Sequence, residues 1–362
     1  MKFTDENIQM IRNEHHNFEK TKQISNNILK LIYDQKLFKL FVSKDLGGEM
    51  LELPDAVKIF QEASRIDGNF GWIVTIGSGG GMFAPNMTKE TAKYFYSPKE
   101  AVIAGSGFPA GVAKPTEKGY IINGQWFYCS GSQYANCFTA TCIVDNKTEN
   151  KEEIIAVALN PDEVKIIENW DAFGLKGTSS HTIEVVNEFI PNDRVFSVLE
   201  SQNSFGGLVH TFPFMMFSEA SFGAISLGIS KHFLEEVNSI LEKNKANWQS
   251  GSNNRYDMLK NKLIEEENRW ETANNYFHEI IQSSWNKHIQ GDELTEELKI
   301  KFSTISKRSV TTTIKCVDNL YRYLGMQVVM ESNTLNQIWR DLHTASQHTF
   351  LTPKNKIEAK SF

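Results

Sequence analysis

The spacing of apolar residues changes twice along this 362-residue chain, and that change limits the folds available to it. Residues 1–97 carry apolar side chains at helical spacings of three and four, as at Ile24 and Ile28. Residues 98–204 contain short runs of β-forming residues separated by turn signals. Residues 205–362 return to helical spacing. This order predicts an α+β multidomain protein with three domains at those boundaries.

The two later segments each predict a particular architecture. The central segment lacks the crossover helices that a parallel sheet requires, so it predicts a small antiparallel barrel or sandwich. The last segment has helical spacing at residues 214–241, 256–288, 295–330 and 335–348. Long helices in this number predict a four-helix bundle with short connections, such as the one at residues 250–252.

Composition argues against several classes of function. The chain has 38 Lys and Arg against 44 Asp and Glu, and its net charge of −6 argues against binding to nucleic acid or an anionic membrane. No apolar run reaches the roughly 18 residues that cross a bilayer, and the first residues lack an apolar signal core. The cysteines form no C-x-x-C pair, which predicts free thiols and no metal site; they are Cys129, Cys137, Cys142 and Cys316. We therefore expect a cytoplasmic protein.

Residues 105–110, GSGFPA, match the spacing of a dinucleotide-binding loop. That loop requires a helix to begin there, because the free amides of the helix N-terminus hold the pyrophosphate. Here Pro109 interrupts the segment and another strand-like run follows. A glycine loop between strands, or a backbone that approaches a flat ligand, explains the pattern better.

Residues 123–132, NGQWFYCSGS, carry the most chemical information. Asn-Gly predicts a tight hairpin turn, after which successive side chains of a strand point to opposite faces. Trp126, Tyr128 and Ser130 would then share one face. An aromatic ring followed two positions later by a hydroxyl suits the wall of a flavin site, although core packing is the commoner explanation of such a stripe.

Two further segments contain candidate polar groups. Residues 169–181, NWDAFGLKGTSSH, form a glycine-rich stretch whose amides and hydroxyls suit a phosphate or a ring edge, although a polar turn explains them as well. His343 and His348 lie five positions apart on a predicted helix and so cannot form a metal pair on one face. Arg340 and Asp341 are interpreted as a surface ion pair of little energetic value.

Together these segments resemble the acyl-CoA dehydrogenase superfamily over nearly the whole chain. Residues 37–48, LFKLFVSKDLGG, are similar to its N-terminal signature, and residues 123–130 are similar to its flavin-wall strand. Residues 174–180, GLKGTSS, are similar to its G-[LM]-[KR]-G-T-x-S loop. The resemblance implies an acyl-CoA dehydrogenase-like fold.

The end of the chain favours one branch of that superfamily. Residues 340–348, RDLHTASQH, are similar to the end of the two-component flavin monooxygenases, which include p-hydroxyphenylacetate hydroxylase and the dibenzothiophene monooxygenases. Dehydrogenases need a glutamate base, whereas residues 104–114 and 342–350 contain no carboxylate. The alternatives are an FAD-dependent acyl-CoA dehydrogenase and a non-catalytic flavin-binding homologue.

For the monooxygenase branch the resemblance implies a flavin-dependent oxidoreductase that acts as an oxygenase component. A separate flavin reductase supplies reduced FMN or FAD, O2 forms a C4a-hydroperoxyflavin, and a small aromatic substrate is oxygenated. Ser130 and His348 are the implied catalytic residues. The implied flavin contacts are Tyr128, Ser130, Gly131, Ser132, Lys176, Gly177 and Thr178. The residues expected around the substrate are Phe108, Phe212, Phe214 and His343, with Phe83 and Phe217 as further candidates. The protein is expected to form a homotetramer.

Overall fold

The computed structural model describes residues 2–145, 153–249 and 254–362, so the predicted connector at residues 250–252 lies outside the described residues. The helices are α1 Asp5–Asn13, α2 His15–Thr21, α3 Asn26–Asp34, α4 Leu53–Ile66, α5 Gly68–Gly79, α6 Lys89–Tyr96, α7 Phe214–Gln249, α8 Arg255–Ile289, α9 Glu296–Tyr321 and α10 Thr334–Ala345. The strands are β1 Ile103–Pro115, β2 Gly119–Cys129, β3 Cys137–Val144, β4 Ile154–Leu159, β5 Lys165–Ile167, β6 His181–Pro191 and β7 Val195–Phe196. The predicted order of helical, β and helical segments is confirmed.

The helices begin where the local sequence stabilises a helix N-terminus. Pro54 occupies the first turn of α4, where its missing N–H costs no hydrogen bond. Asp67 caps α5 by accepting a 3.0 Å hydrogen bond from Phe70 N, and Thr295 caps α9 in the same way. The predicted and observed starts of the later helices agree within one or two residues, and at α9 the cap at Thr295 accounts for the agreement.

One seven-stranded sheet forms the middle of the molecule, in the order β5-β6-β2-β1-β3-β4-β7. All neighbouring strands pair antiparallel except β1 and β3, which run parallel. The sheet therefore differs from the expected antiparallel arrangement in one pair. No crossover helix is needed, because β2 lies on the other side of β1 and returns the chain to the end at which β1 began.

The predicted hairpin turn at Asn123 and Gly124 is wrong. Both residues lie inside β2, at a point where its pairing with β6 shifts register. A Cβ on Gly124 would lie 2.7 Å from the Cα of Gly111 on β1, so glycine is needed there for strand contact rather than for a turn. The chain instead reverses between β1 and β2, where Thr116 N donates to Gly119 O over 2.8 Å.

The helices before and after the sheet share one hydrophobic core. This core runs from Phe3 to Ala345 and centres on α7, which is buried on most of its circumference along its first two-thirds. A Cβ on Gly228 of α7 would lie 2.2 Å from the carbonyl oxygen of Gln61 on α4, so the two helices touch at the backbone. The sheet has a second core around Trp126. The domain boundaries themselves stay a prediction.

Two further observations concern the described part of the chain. The four cysteines are free thiols, as the sequence predicted, and the structure shows that all four are buried. None of the described helices combines the length and the apolar character that a membrane crossing requires.

Candidate active site

Ser130 lies immediately after β2, at a turn in which Gly131 has a left-handed backbone with φ of +78°. The residue is 7% exposed. Its hydroxyl accepts a 2.9 Å hydrogen bond from Trp72 Nε1 on α5. It also shares a 2.7 Å hydrogen bond with Ser180 Oγ, just before β6. Ser130 therefore links α5 to two strands of the sheet through buried polar contacts.

The hydrogen bonds around Ser130 have one consistent direction. Thr178 Oγ1 donates to the carbonyl oxygen of Leu175 over 2.8 Å and shares a 2.7 Å bond with Ser180 Oγ. Because a hydroxyl has one proton to donate, Ser180 donates to Thr178, and Ser130 donates to Ser180. Since Ser130 Oγ also accepts from Trp72, its remaining capacity is a single acceptor lone pair.

The predicted face shared by Trp126, Tyr128 and Ser130 does not form. Pairing between β2 and β6 shifts between Trp126 and Cys129, and Tyr128 has a left-handed backbone with φ of +64°. Trp126 and Cys129 are fully buried, whereas Phe127 and Tyr128 are 51% and 74% exposed. The alternation prediction is wrong because a bulge inserts a residue and changes the faces beyond it. Two exposed aromatic rings therefore precede Ser130.

The structure brings the loop at residues 174–180 against the end of β2, where the resemblance places its flavin contacts. Gly131 N donates to Thr178 O over 2.9 Å, and Ser132 Oγ donates to Ser179 O over 2.8 Å. Thr178, Ser132 and Ser180 are buried. These hydrogen bonds hold the loop and the strand end as one unit.

Two polar groups of this loop are bound to side chains of the protein itself. Lys176 Nζ lies 3.1 Å from Glu19 Oε2, and Gly177 N donates to Asn69 Oδ1 over 2.8 Å. Gly177 is buried, whereas the Lys176 side chain keeps 23% of its surface exposed while it pairs with Glu19. The flavin contacts of Lys176 and Gly177 stay a prediction.

Arg340 and Asp341 do not form the surface ion pair that the sequence suggested. Arg340 is 8% exposed and binds Glu19 through two guanidinium nitrogens, at 3.2 and 3.0 Å. Asp341 is buried and accepts hydrogen bonds from Leu175 N at 2.5 Å and from Asn69 Nδ2 at 3.3 Å. Burial and the nearby Asp67 carboxylate raise the pKa of Asp341 to about 8. Asp341 therefore holds the loop at residues 174–180 against α10 through Leu175 N, whereas Arg340 ties α10 to Glu19 of α2.

His348 follows the end of α10 and lies among aromatic rings. Its ring stacks on Phe222 of α7 with 3.7 Å between centroids, and the Trp72 centroid lies 6.1 Å away. Burial lowers the pKa of His348 to about 4, so the imidazole is neutral at pH 7. Nδ1 accepts a long hydrogen bond of 3.4 Å from Phe350 N, which places the proton of the neutral ring on Nε2.

An apolar cavity of about 170 Å³ lies between α5, β1, β3 and the first turns of α7. Its aromatic lining consists of Phe83, Phe196, Phe214, Phe217, Phe222 and Phe350. Phe222 belongs to this lining and also stacks on His348, while its ring lies 5.6 Å from Trp72. Ser130, Trp72, Phe222 and His348 are therefore neighbours in a row, and Phe222 is the member of that row that lines the cavity.

The structure separates the expected substrate residues. Phe214 lines the cavity, as do the further candidates Phe83 and Phe217. Phe212 packs on Trp285 and Phe302 in the bundle instead. Phe108 is 73% exposed, and His343 Nε2 lies 3.0 Å from Asp318 Oδ1 on α9. Neither Phe108 nor His343 is part of the cavity lining. In the described part of the chain, no three His, Cys, Asp or Glu side chains are grouped to hold a metal ion.

Comparison with known sequences gives consistent relatives. Residues 220–353 match the family model for the acyl-CoA dehydrogenase C-terminal domain. Indole-3-acetate monooxygenase of Acinetobacter baumannii is 23% identical over 338 residues, which cover 92% of this chain and 86% of the relative. The oxygenase component of p-hydroxyphenylacetate 3-hydroxylase from the same organism is 22% identical, with 92% and 81% covered.

Solved structures show the same fold. The 3-HSA hydroxylase of Rhodococcus sp. RHA1 superposes with a TM-score of 0.88 at 18% identity, covering 96% of this chain and 91% of that one. FMN-bound TdsC from Paenibacillus sp. A11-2 and XiaF from Streptomyces sp. with FADH2 each give a TM-score of 0.77 at 16% identity, covering 95% and 92%. The chain is a relative of the flavin-dependent monooxygenases. The predicted relationship and the acyl-CoA dehydrogenase-like fold are confirmed.

This relative of the monooxygenases contains site residues that sequence reasoning did not single out. Trp72 and Phe222 connect Ser130 to His348, and Ser180 sets the direction of the Ser130 hydroxyl. Trp72 is the one aromatic residue between Gly71 and Gly79, in a stretch of α5 otherwise made of small and aliphatic residues, and that contrast was the available signal.

Proposed function

We propose that the chain is the oxygenase component of a flavin-dependent monooxygenase that acts on a small aromatic molecule. The observation that carries this proposal is the row of Ser130, Trp72, Phe222 and His348 beside an apolar, aromatic cavity. Reduced FMN or FAD, delivered by a separate flavin reductase, supplies the electrons that activate O2 for transfer to the substrate. FMN and FADH2 are bound by neighbours of the same fold.

The free hydrogen-bond acceptor at Ser130 suits a reduced flavin. The N5 atom of a reduced flavin carries a hydrogen, whereas N5 of the oxidised ring has only a lone pair. Since Ser130 already donates its proton to Ser180, its free lone pair suits the N5–H donor of the reduced ring. The exposed rings of Phe127 and Tyr128 offer an apolar surface next to this hydroxyl for a flat ring system.

His348, as a neutral imidazole, can donate a hydrogen bond from Nε2 beside Phe222, which lines the cavity. The neutral ring carries its proton on Nε2, because Nδ1 accepts from Phe350 N. Its low pKa means that the ring returns to the neutral form after any transient protonation at pH 7. Phe222 stacks on the ring, and the centroid of Phe350 lies 5.1 Å from that of His348, so aromatic rings surround part of the imidazole.

The dehydrogenase alternative lacks its base. Abstraction of an α-proton from a thioester requires a carboxylate close to the substrate. None of the residues that line the cavity is acidic. Glu219 on α7 is buried near by, but it accepts from Ser303 Oγ at 2.6 Å and lies 3.5 Å from Lys307 Nζ. We therefore favour oxygenation over dehydrogenation.

The assembly and the location are part of the same proposal. We propose a homotetramer that assembles through the C-terminal helices. Exposed apolar side chains after α9 support such an interface, since Met326, Val329 and Met330 are 79%, 50% and 60% exposed. Free, buried thiols support a cytoplasmic location.

The test couples the purified protein to an NADH-dependent flavin reductase, with FMN or FAD and with indole as the probe substrate. We expect 18O from labelled O2 in the product. In Ser130→Ala and His348→Ala most of the consumed oxygen is expected to appear as hydrogen peroxide. The yield of oxygenated product should fall by about 10-fold or more. The exposed residues Ser97 and His16 supply the matched controls Ser97→Ala and His16→Ala, which are expected to behave as the wild type.

Two results would contradict the proposal. Oxygen uptake no greater than that of the reductase alone, with either flavin and a panel of aromatic probes, supports the non-catalytic homologue. Bleaching of bound oxidised FAD by an acyl-CoA thioester under anaerobic conditions supports the dehydrogenase.

A further inference from the structure

The cavity beside His348 has no charged group in its wall. None of the lining residues is Asp, Glu, Lys, Arg or His, and the walls are formed by aromatic, aliphatic, glycine and hydroxyl residues. A carboxylate moved from water into such a wall loses its hydration without gaining a cation. Two relatives are named for aromatic acetates, which carry a carboxylate. The uncharged wall of this cavity does not match a substrate of that charge.

The size and the lining of the cavity suit a compact ring system. Its volume of about 170 Å³ is slightly larger than the roughly 150 Å³ of a protein cavity that binds benzene. Phe217 and Phe222 of α7 line the cavity, as do Phe83 and Phe196, whose ring centroids lie 6.1 Å apart. Aromatic rings on several sides favour an aromatic ligand of one or two fused rings, through stacked and edge contacts.

Two hydroxyls in the wall have no protein hydrogen bond within the described ranges. They belong to Thr139 on β3 and Ser218 on α7, which are 8% and 3% exposed and both line the cavity. Other hydroxyls of the wall are already used: Thr75 Oγ1 donates to Gly71 O, and Ser221 Oγ donates to Phe217 O, each over 2.8 Å. A buried hydroxyl without a partner favours a ligand that supplies one.

We propose that this cavity binds neutral aromatic molecules of one or two fused rings that carry one hydrogen-bonding group, and excludes aromatic carboxylates. Thr139 and Ser218 are the residues that bind the polar group of the ligand. The inference rests on the proposed function only in treating the cavity as the substrate site. Charge, rather than ring shape, is then the main determinant of which aromatic molecules enter.

The experiment measures binding to the full-length protein without flavin, by titration calorimetry and by quenching of tryptophan fluorescence. The ligands are indole, naphthalene, indole-3-acetamide and indole-3-acetate. We expect indole and the amide to bind at least about 100-fold more tightly than the acetate, which has the same shape as the amide but a negative charge. Equal affinity for the amide and the acetate would overturn the proposal.

Variants of the two hydroxyls test their part separately. Thr139→Val or Ser218→Ala is expected to weaken indole binding by about 5- to 10-fold and to leave naphthalene binding unchanged, because naphthalene has no polar hydrogen. Ser221→Ala is the matched control, since that hydroxyl already has a backbone partner, and the ratio of indole to naphthalene affinity should not change. An unchanged ratio in both test variants would refute the role of the hydroxyls.

The binding assay separates this inference from the proposed function. Neutral aromatic molecules that bind but are never oxygenated contradict the monooxygenase proposal alone. Oxygenation of an aromatic carboxylate at a rate similar to that of its amide contradicts the inference alone. Failure of every neutral aromatic molecule to bind also contradicts the inference.

Discussion

Thr178 determines what Ser130 can offer a ligand, although the two hydroxyls are linked only through Ser180. Thr178 Oγ1 donates a hydrogen bond to Leu175 O and accepts one from Ser180. Ser180 in turn accepts a hydrogen bond from Ser130. A backbone carbonyl three residues before Thr178 therefore makes Ser130 an acceptor. The direction depends on the order of the bonds, which no single residue type indicates.

Thr178→Val should reduce the preference for reduced over oxidised flavin. Without Oγ1 at residue 178, Ser180 can donate to Ser130, and Ser130 is then free to donate to the lone pair of an oxidised ring. We expect the ratio of the two dissociation constants to move toward the oxidised form by about 10-fold, equivalent to one hydrogen bond. Anaerobic titrations with reduced and oxidised FMN measure it.

The matched control for that substitution is Thr313→Val. Thr313 is also buried and also donates to a backbone carbonyl, that of Val310, but it lies on α9 in the bundle. Its loss should lower stability to a similar extent and leave the ratio of dissociation constants unchanged. A ratio that Thr178→Val leaves at the wild-type value would refute the direction assigned to the hydroxyls.

Asp341→Asn should change how stability depends on pH. The pKa of Asp341 is raised to about 8, whereas an aspartate in the unfolded chain ionises near pH 4. Between these values the folded state holds one more proton, so the free energy of unfolding falls as pH rises, by about 1 kcal/mol per pH unit. The amide of the Asp341→Asn variant does not titrate, so urea unfolding between pH 5 and 8 should show the variant gaining stability relative to the wild type.

The control for this prediction is the exposed Asp292. The stability difference between Asp292→Asn and the wild type should stay flat over the same range. A flat difference for Asp341→Asn as well would mean that its carboxyl ionises normally within the fold. His15 and Asp67 lie near residue 341 in the wild type and in the Asp341→Asn variant alike. Their contribution to the pH dependence of stability therefore largely cancels when the two proteins are compared.

Sequence patterns single out Ser130 and His348 but not the residues that contact them, and the catalytic roles of the two stay a prediction. Ser130 and His348 follow from local motifs, and the structure places them on either side of Trp72. The partners of Lys176 and Arg340 could not be inferred, because Glu19 lies more than 150 residues away in the chain. Interactions across such distances depend on the packing of whole elements.

At the scale of elements, the C-terminal segment is held against α9 by a buried charge cluster. Lys307 Nζ is 3.3 Å from Glu358 Oε2 and 3.5 Å from Glu219 Oε1, and Lys307 is 1% exposed. Phe362 N adds a 2.9 Å hydrogen bond to Thr312 Oγ1 on the same helix. This segment follows Phe350, which lines the cavity, so its attachment helps to close the site.

Lys307→Met should therefore be strongly destabilising. It leaves two buried carboxylates without their cation, a change that typically costs about 3–5 kcal/mol. We also expect faster tryptic cleavage after Lys354 and Lys356, because the segment loses its attachment. Urea unfolding and timed proteolysis of the full chain measure the two effects.

Two further variants make this test decisive. Lys301→Met removes an exposed lysine from the same helix and should change stability by no more than about 0.5 kcal/mol. Glu358→Gln should destabilise the protein less, because Lys307 keeps its ion pair with Glu219. This variant replaces Lys307→Met in the test if Lys307→Met does not fold. Wild-type proteolysis rates in both Lys307→Met and Glu358→Gln would show that the cluster does not hold the segment.

The elements themselves differ in how far the sequence predicts them. The long helices α7 to α10 start within two residues of their predicted positions, because helical spacing and capping residues are local. The strands β5 and β7 have three and two residues, too few for a pattern, and were not predicted. The bulge at Tyr128 also escaped prediction, because it depends on pairing with β6.

At the scale of the whole molecule, the two helical segments are one structural unit around α7. Gln61 of α4 touches the α7 backbone at Gly228, and Gln337 Nε2 of α10 donates to His15 O at 3.2 Å. A Cβ on Gly68 of α5 would lie 3.0 Å from Asp341 on α10. The first and last parts of the chain therefore bury the same core, while the sheet has a core of its own around Trp126.

This arrangement predicts that the C-terminal segment does not fold fully alone. A fragment of residues 205–362 should keep helical circular dichroism, because α7 to α9 are long, but its α7 face toward α4 is exposed. We expect broad thermal unfolding and binding of a hydrophobic dye, whereas the full chain should unfold in one transition by near- and far-ultraviolet signals.

A fragment of residues 98–204 provides the comparison within the same chain. Its sheet encloses Trp126, so a near-ultraviolet tryptophan signal should persist in that fragment even where the helical fragment shows none. Adding residues 1–97 to the helical fragment should restore cooperative unfolding, because α4 and α5 then cover α7. Sharp unfolding of the isolated 205–362 fragment would mean that its own helices suffice, and that the shared core adds stability without being needed for folding.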